Sequence, residues 1–211
     1  MGDSDAELLY RWREGDEQAG QALVERYFEP VSRFFGHKVE GDPGDLIQQT
    51  FEVCVKQRDR IKDGHSFRSY LFSIARYVLF AHYRERYRCP EDELPSQSLH
   101  DLAAGPVTLM IESEQLRRLA MALRRLPLDL QIMLELRYWE NMPSGEIGQV
   151  MGLNENTVRT HLMRARALLK QAIRESTEVK EHTASDLDAW IEQIRCELAR
   201  GEPGEPDEPD E

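Results

Sequence analysis

The segment from residue 143 to residue 170, PSGEIGQVMGLNENTVRTHLMRARALLK, has the most specific pattern in this chain. Pro143 and Ser144 can begin a short helix. Gly152 permits the left-handed backbone of a tight turn, and Asn154 is a good N-cap for a second helix. The segment therefore predicts two helices joined by a turn that is centred on glycine.

The second of these helices has one apolar stripe and one basic face. The apolar residues lie at i, i+4, i+7 and i+11: Val158, Leu162, Ala165 and Leu169. Between Glu155 and Arg174, five basic residues against one acidic residue give a local charge of +4. This is the arrangement of a DNA-reading helix-turn-helix, although an ordinary solvated amphipathic helix would show the same basic face.

The acidity of the whole chain does not argue against DNA binding. The 211 residues carry a formal charge of -12, but residues 176–211 hold twelve acidic and three basic residues, a net of -9. Only -3 remains for residues 1–175. The negative charge thus belongs mainly to the C-terminal end, which includes the low-complexity sequence GEPGEPDEPDE.

Composition and missing motifs exclude several classes of function. No run approaches the ~18 apolar residues of a membrane span, and no secretory signal is visible, so we expect a cytoplasmic protein without membrane insertion. The three cysteines, Cys54, Cys89 and Cys196, have no zinc-type spacing and are predicted to be structural thiols. No catalytic motif occurs. We therefore predict that the chain is not an enzyme and has no metal and no cofactor.

Hydrophobic periodicity predicts an all-α fold with four parts. Apolar residues at helical spacing run through residues 1–88 and again through residues 113–175, and no segment alternates as a strand does. Residues 89–112, which include CPEDELPSQSLHDLAAGP, have the composition of a flexible linker. Residues 176–211 form an extension with one short helix, whose stripe contains Trp190 and Ile191, and an acidic disordered tail.

Two blocks of the sequence resemble bacterial sigma factors of the sigma-70 type, particularly the extracytoplasmic-function group. PLDLQIMLELRYWENMPSGEIGQVMGLNENTVRTHLMRARALLK is similar to region four of that family. GDLIQQTFEVCVKQ and SFRSYLFSIARYVLFAHYRERYR are similar to region two. Their order and the linker between them also match. The resemblance implies two small helical domains, region two over 1–88 and region four over 113–175.

The resemblance also implies a function and partners. Such proteins bind core RNA polymerase, through the clamp helices of the largest subunit and the flap of the second-largest, and direct promoter-specific initiation. The region-two helix that docks on polymerase matches these residues: Asp45, Leu46, Gln48, Gln49, Phe51 and Glu52. An anti-sigma factor is a further possible partner.

The DNA-reading residues implied by the resemblance lie in both blocks. In the family, a loop and a helix of region two recognise the minus-ten element through aromatic rings that stack on bases and cations that contact the backbone. The corresponding residues here are Arg60, Lys62, His65, Ser66, Phe67, Arg76, Tyr77, Tyr83, Arg84 and Arg86. The residues that correspond to the family's readers of the minus-thirty-five element lie in the second helix of region four: Asn156, Arg159, Thr160, Met163, Arg164, Arg166 and Lys170. Of the latter, Arg166 and Lys170 suit phosphate contacts, which position the protein without reading bases.

Three departures from the family's pattern, and two alternative functions, stay open. Tyr77 replaces a common asparagine and Ala81 a common aspartate, so the resemblance does not imply which minus-ten sequence is preferred. Gly148 replaces a common alanine. Glycine there costs ~1 kcal/mol in helix propensity, but it suits close helix packing. The alternatives are a helix-turn-helix regulator that binds duplex DNA without polymerase, and a sigma-like protein that only regulates through interactions.

Overall fold

The structure is a computed structural model that describes residues 3–36, 38–39, 41–61, 66–88, 93–99, 114–175 and 191. Within these residues the chain forms eight α-helices and two short 3-10 helices, and no strand. The α-helices are α1 (Asp5–Arg13), α2 (Glu17–Gly36), α3 (Gly44–Gln57), α4 (Phe67–Tyr87), α5 (Glu114–Arg124), α6 (Leu128–Tyr138), α7 (Ser144–Met151) and α8 (Glu155–Glu175). The prediction of an all-α fold is confirmed.

The N-terminal helical group, α1–α4, is built on local capping and close helix contacts. Ser4 and Glu7 form a reciprocal capping box at the start of α1, which satisfies two backbone donors. Trp12 of α1 lies so close to α2 that a Cβ atom added at Gly20 would fall 2.4 Å from the indole nitrogen. Ser66 caps α4 by accepting a hydrogen bond from the Ser69 amide at 3.1 Å. These contacts hold the helices around a shared apolar core.

The C-terminal helical group, α5–α8, contains the predicted pair of helices. Gly152 adopts φ +68°, the left-handed conformation expected at the turn. The Asn154 side chain accepts a hydrogen bond from the Thr157 amide at 2.8 Å, so the predicted N-cap is present. The predicted apolar stripe of α8 is buried: Val158, Leu162, Ala165 and Leu169. The helix-turn-helix prediction is therefore confirmed in its local geometry.

The two helical groups pack against each other. Helix α4 lies along α7, and the buried apolar residues of both groups form a single cluster. Part of the predicted linker also takes part in this packing. Leu94 and Leu99 are fully buried, and the Leu128 amide donates to the Gln97 carbonyl at 2.8 Å. These residues dock the linker onto the start of α6.

Two further predictions concern the cysteines and the extension. Cys54 is buried, and burial raises the pKa of its thiol to about 12, so it stays protonated at neutral pH as a structural thiol does. Cys89 and Cys196 lie outside the described residues. In the extension, Ile191 is helical and buried in the apolar cluster. The remaining residues of the extension, including Trp190 and the acidic tail, lie outside the described residues.

Candidate nucleic-acid interface

The outward face of α8 presents most of the residues predicted for the minus-thirty-five element. Asn156, Arg159, Thr160, Met163 and Arg164 are all exposed, and the Met163 side chain is 71% exposed. These positions lie three or four residues apart, so they form one continuous strip along the helix. Because the helix is held from behind by its buried stripe, this strip is free to approach a DNA groove.

Arg159 is held by a weak local contact. Its guanidinium donates to the Glu155 carboxylate one turn earlier, and the Arg159 side chain remains 63% exposed. An exposed i, i+4 ion pair contributes only about 0.3–0.5 kcal/mol. Arg159 can therefore exchange Glu155 for a base edge at little cost.

The two residues predicted to contact phosphate are placed differently from that strip. Arg166 is half-buried, donates to the Tyr138 hydroxyl at 2.9 Å and lies over the Tyr138 ring. Lys170 is half-buried near the C-terminal end of α8. Arg166 is thus fixed against α6, where it also helps to orient the helix.

The tight turn before α8 depends on Gly148. A Cβ atom at this position would lie 2.5 Å from the Leu153 carbonyl oxygen, and the Leu153 amide donates to the Gly148 carbonyl at 2.9 Å. The expectation that glycine serves close packing here is confirmed. Its absent side chain lets the turn fold directly back onto α7.

The substitution Gly148→Ala should lower the free energy of unfolding by about 1–3 kcal/mol, because the new methyl group meets a backbone carbonyl and overpacks the turn. The matched control is Gly145→Ala, also in α7, where the nearest heavy atom would be 3.9 Å away. We expect Gly145→Ala to be neutral or to gain up to about 1 kcal/mol from helix propensity. Urea unfolding of both variants measures the difference; equal stabilities would contradict the steric role of Gly148.

The residues predicted for the minus-ten element are divided between surface, core and interface. Tyr77 is 62% exposed on α4 and Arg86 is exposed near its end, where its guanidinium lies over the Tyr87 ring. Arg84 is half-buried. Ser66 serves as the N-cap of α4. Lys62 and His65 lie outside the described residues, as does the side chain of Arg60.

Two of the predicted base-stacking aromatics need correction. Phe67 is 2% exposed and its ring packs against Trp12 and Tyr27. Tyr83 is 1% exposed and its hydroxyl donates to the Lys38 carbonyl. Neither ring can reach a base in this arrangement, because tertiary packing has placed both in the core. Phe72 and Phe80 of the same helix are also buried.

Arg76 also lies in an unexpected place. It was predicted to follow the DNA strand, but its guanidinium donates to Asp129 of α6 at 2.8 Å and 3.2 Å. The same guanidinium lies 4.3 Å from the centre of the Phe80 ring. In this arrangement the cation belongs to the contact between the two helical groups.

Helix α3 presents the polar face predicted to dock on polymerase. Asp45, Gln48, Gln49 and Glu52 are exposed, whereas Leu46 is half-buried. Gln48 donates to Glu52 at 2.9 Å, and this bond, with one from Lys56, lowers the pKa of Glu52. Glu52 therefore stays ionised on this face.

Phe28 is a surface residue that sequence reasoning missed. Phe28 lies on α2 among apolar residues at helical spacing, but its side chain is 53% exposed. Its ring stacks on Phe51 of α3 with the planes 12° apart, and Val55 is exposed on the same helix as Phe51. Phe28 directly follows Tyr27, which lies in the buried stripe of α2. Because neighbouring residues of a helix point in different directions, the sequence could have predicted that Phe28 lies outside that stripe.

Among the described residues, no group of three or more His, Cys, Asp and Glu side chains could hold a metal ion. In the same part of the chain, no helix combines the length and apolar character needed to cross a membrane. The features that remain are the basic strip of α8 and the mixed polar and aromatic face of α3 and Phe28.

Comparisons with known proteins match both helical groups. The family profile described as sigma-70, region 4, matches residues 116–169. The ECF RNA polymerase sigma-E factors of Salmonella typhimurium and Escherichia coli are each 27% identical over 181 residues, covering 81% of this chain and 94% of theirs. The corresponding Haemophilus influenzae protein is 26% identical over 183 residues and covers 81% of this chain and 95% of its own.

Solved structures show a similar fold. CnrH, in complex with the cytosolic domain of CnrY, superposes with a TM-score of 0.58 at 24% identity, covering 83% of this chain and all of CnrH. The sigma factor RpoE of Bartonella quintana, in complex with the anti-sigma factor NepR, gives a TM-score of 0.57 at 18% identity and covers 74% of this chain and 98% of RpoE. Both likenesses extend well beyond the helix-turn-helix.

Proposed function

Because this chain belongs to the extracytoplasmic-function group of the sigma-70 family, we propose that it binds core RNA polymerase and directs promoter-specific initiation of transcription. It acts without catalysing a reaction of its own, in the cytoplasm, where polymerase and promoter DNA meet. The observation that carries this proposal is the extent of the match. The similar sigma-E factors cover both helical groups, and a regulator that only binds duplex DNA has no use for the N-terminal one.

Each surface has a role in this proposal. The strip on α8 reads the minus-thirty-five element in the major groove, and Arg159 and Arg164 suit guanine while Asn156 suits adenine. Helix α4 meets the minus-ten element through Tyr77 and Arg86, together with loop residues that precede it. The exposed face of α3 docks on the clamp helices of the largest polymerase subunit, and the C-terminal group meets the flap of the second-largest.

An anti-sigma factor is a further proposed partner. CnrH was solved in complex with the cytosolic domain of CnrY, and RpoE in complex with the anti-sigma factor NepR. The same two helical groups in this chain offer a comparable target.

In-vitro transcription with core polymerase tests the proposal. Promoter-specific transcripts that depend on this chain would support it. The experiment should use a pool of genomic promoter fragments, so that no promoter sequence has to be chosen beforehand. The 5′ ends of the transcripts should then be mapped. Duplex binding without any initiated transcript would instead identify a conventional helix-turn-helix regulator. Polymerase binding without transcript would identify a purely regulatory protein.

The exposed aromatic of α2 allows a sharper test of the polymerase surface. The substitution Phe28→Ser should weaken binding to core polymerase about tenfold, equivalent to about 1.4 kcal/mol, because a buried aromatic anchor is lost from the complex. Folding stability should change little, since more than half of the side chain is already in water. Fluorescence anisotropy of labelled chain against core polymerase measures the dissociation constant.

The matched control for this variant is Tyr10→Ser on α1. Tyr10 is also an exposed aromatic, at 66%, but lies on a different helix from the α2–α3 face. We expect Tyr10→Ser to bind as the wild type does. Equal losses in both variants would mean that Phe28 does not belong to the polymerase surface.

A further inference from the structure

The basic residues of α8 form a row that is longer than the strip proposed to read bases. They lie at i, i+7, i+11 and i+15, a spacing that returns to one side of a helix: Arg159, Arg166, Lys170 and Arg174. These four residues are named the basic row. At a rise of about 1.5 Å per residue, the row is about 22 Å long. Its second half lies beyond the strip, towards the C-terminal end of the helix.

The charge of the basic row is only partly compensated. Arg159 pairs with Glu155, and Arg166 donates to the Tyr138 hydroxyl, which is neutral. Among the described residues, Lys170 and Arg174 make no ion pair and no side-chain hydrogen bond. Arg166, Lys170 and Arg174 follow one another at i, i+4, so neighbouring like charges repel. An anionic ligand along the row would relieve this repulsion.

The C-terminal sequence of the same chain supplies a regular set of anions. Residues 201–211, GEPGEPDEPDE, hold six acidic residues and no basic one, and the name acidic tail is used for them below. Prolines recur at every third position, and so do four glutamates: Glu202, Glu205, Glu208 and Glu211. In a polyproline II conformation, with about three residues per turn and a rise of about 3.1 Å, such glutamates share one face about 28 Å long. The pattern therefore favours an anionic face of nearly the length of the basic row.

The acidic tail starts close enough to the folded part of the chain to reach α8. Ile191 is 1% exposed and belongs to the apolar cluster, so the extension is anchored at that residue. Residues 192–201 can then span up to about 33 Å, and α8, with 21 residues, is about 31 Å long. A short tether gives an effective concentration in the millimolar range. Even a contact with a millimolar dissociation constant is therefore formed for much of the time.

We propose that the acidic tail binds along the basic row of α8 and competes there with the DNA backbone. Its glutamates face Lys170 and Arg174 first, because no described residue neutralises these two cations. The tail and a DNA strand are ligands of the same kind, since each is a linear array of anions whose binding is mainly electrostatic. The contact itself depends only on charge and reach. Its effect on promoter binding rests on the proposed function.

The first test uses nuclear magnetic resonance of the full chain, without DNA or polymerase. A neutral-tail variant removes four charges: Glu202→Gln, Glu205→Gln, Glu208→Gln and Glu211→Gln. The control variant changes the net charge equally, at exposed glutamates of the N-terminal group: Glu14→Gln, Glu17→Gln, Glu25→Gln and Glu29→Gln.

The backbone amide signals of residues 166–174 should shift in the neutral-tail variant and not in the control, because only the former loses the contact with α8. In about 0.5 M salt, which screens exposed charges, the wild-type and neutral-tail spectra should converge. Absence of shifts in α8 would overturn the proposal. Shifts that depend on protein concentration would place the tail on a second copy and would overturn the contact within one chain.

The second test measures competition with DNA. At about 50 mM salt, holoenzyme with the neutral-tail variant should bind duplexes about two- to tenfold more tightly than holoenzyme with the control variant. The gain should be equal for all duplex sequences, because the tail competes for backbone contacts, and it should vanish as salt rises. Equal affinities in spite of the amide shifts would reject competition. If no variant binds polymerase or DNA although the amide shifts are present, the proposed function fails and the tail contact stands.

Discussion

Replacing Lys38 with methionine is expected to destabilise the chain by about 3–5 kcal/mol, the usual cost of breaking a buried ion pair by removing one partner. Methionine has a similar length, so it leaves little cavity. The loss comes instead from Glu135, which is 7% exposed and loses the ammonium that neutralises its carboxylate, while the Gln131 amide continues to donate to it. Urea unfolding of the full chain, followed by circular dichroism, measures the change.

The double variant Lys38→Met/Glu135→Leu separates charge from packing. With both charges gone, apolar side chains of similar volume fill the same space, and most of the lost stability should return. A double variant that is as unstable as Lys38→Met would show that shape, and not the uncompensated carboxylate, controls this site. The two charges of this pair act on each other directly: burial lowers the pKa of Lys38, and the Glu135 carboxylate opposes that shift.

Features that depend on neighbouring residues were predictable from the sequence. The left-handed Gly152, the Asn154 cap and the buried stripe of α8 all follow from chemistry within a few residues. Such local rules hold because a helix end must satisfy its own backbone donors whatever lies beyond it.

Features that depend on packing between distant segments were not predictable. Tyr77 and Tyr83 lie on one helix and are alike in chemistry, yet one is exposed and the other is buried beneath the Lys38 carbonyl. The same limit applies to Arg76, which a sequence can mark only as a cation. Its partner Asp129 is 53 residues away, and Lys38 and Glu135 are 97 residues apart. Pairings of this kind appear only when the two helical groups are brought together.

The exposure of the strip on α8 was easier to predict, for a physical reason. A reading helix must keep one face out of the core, so its exposed residues can be found by subtracting the buried stripe. Arg166 and Lys170 departed from this rule, since both are half-buried, and Tyr138 of α6 accepts a hydrogen bond from Arg166. What the pattern could not supply is the DNA sequence that the strip prefers, because the same side chains accept more than one base arrangement.

Arg159→Ala is expected to weaken recognition of the preferred promoter by about 1–3 kcal/mol, or roughly 5- to 150-fold, through loss of a bidentate contact to guanine. Stability should be unaffected, because the only described partner of this exposed side chain is Glu155. The measurement compares, with holoenzyme, the affinity for duplexes that the wild type selects from a random pool and for unselected duplexes. In Arg159→Ala, the higher affinity for selected duplexes should disappear at a single base position.

Lys170→Gln is the matched control. Removing a phosphate contact should weaken binding to all duplexes alike and lower the slope of log affinity against log salt concentration by about one. If Arg159→Ala instead weakened selected and unselected duplexes equally, the residue would contact the backbone, and base reading would pass to Arg164 and Asn156.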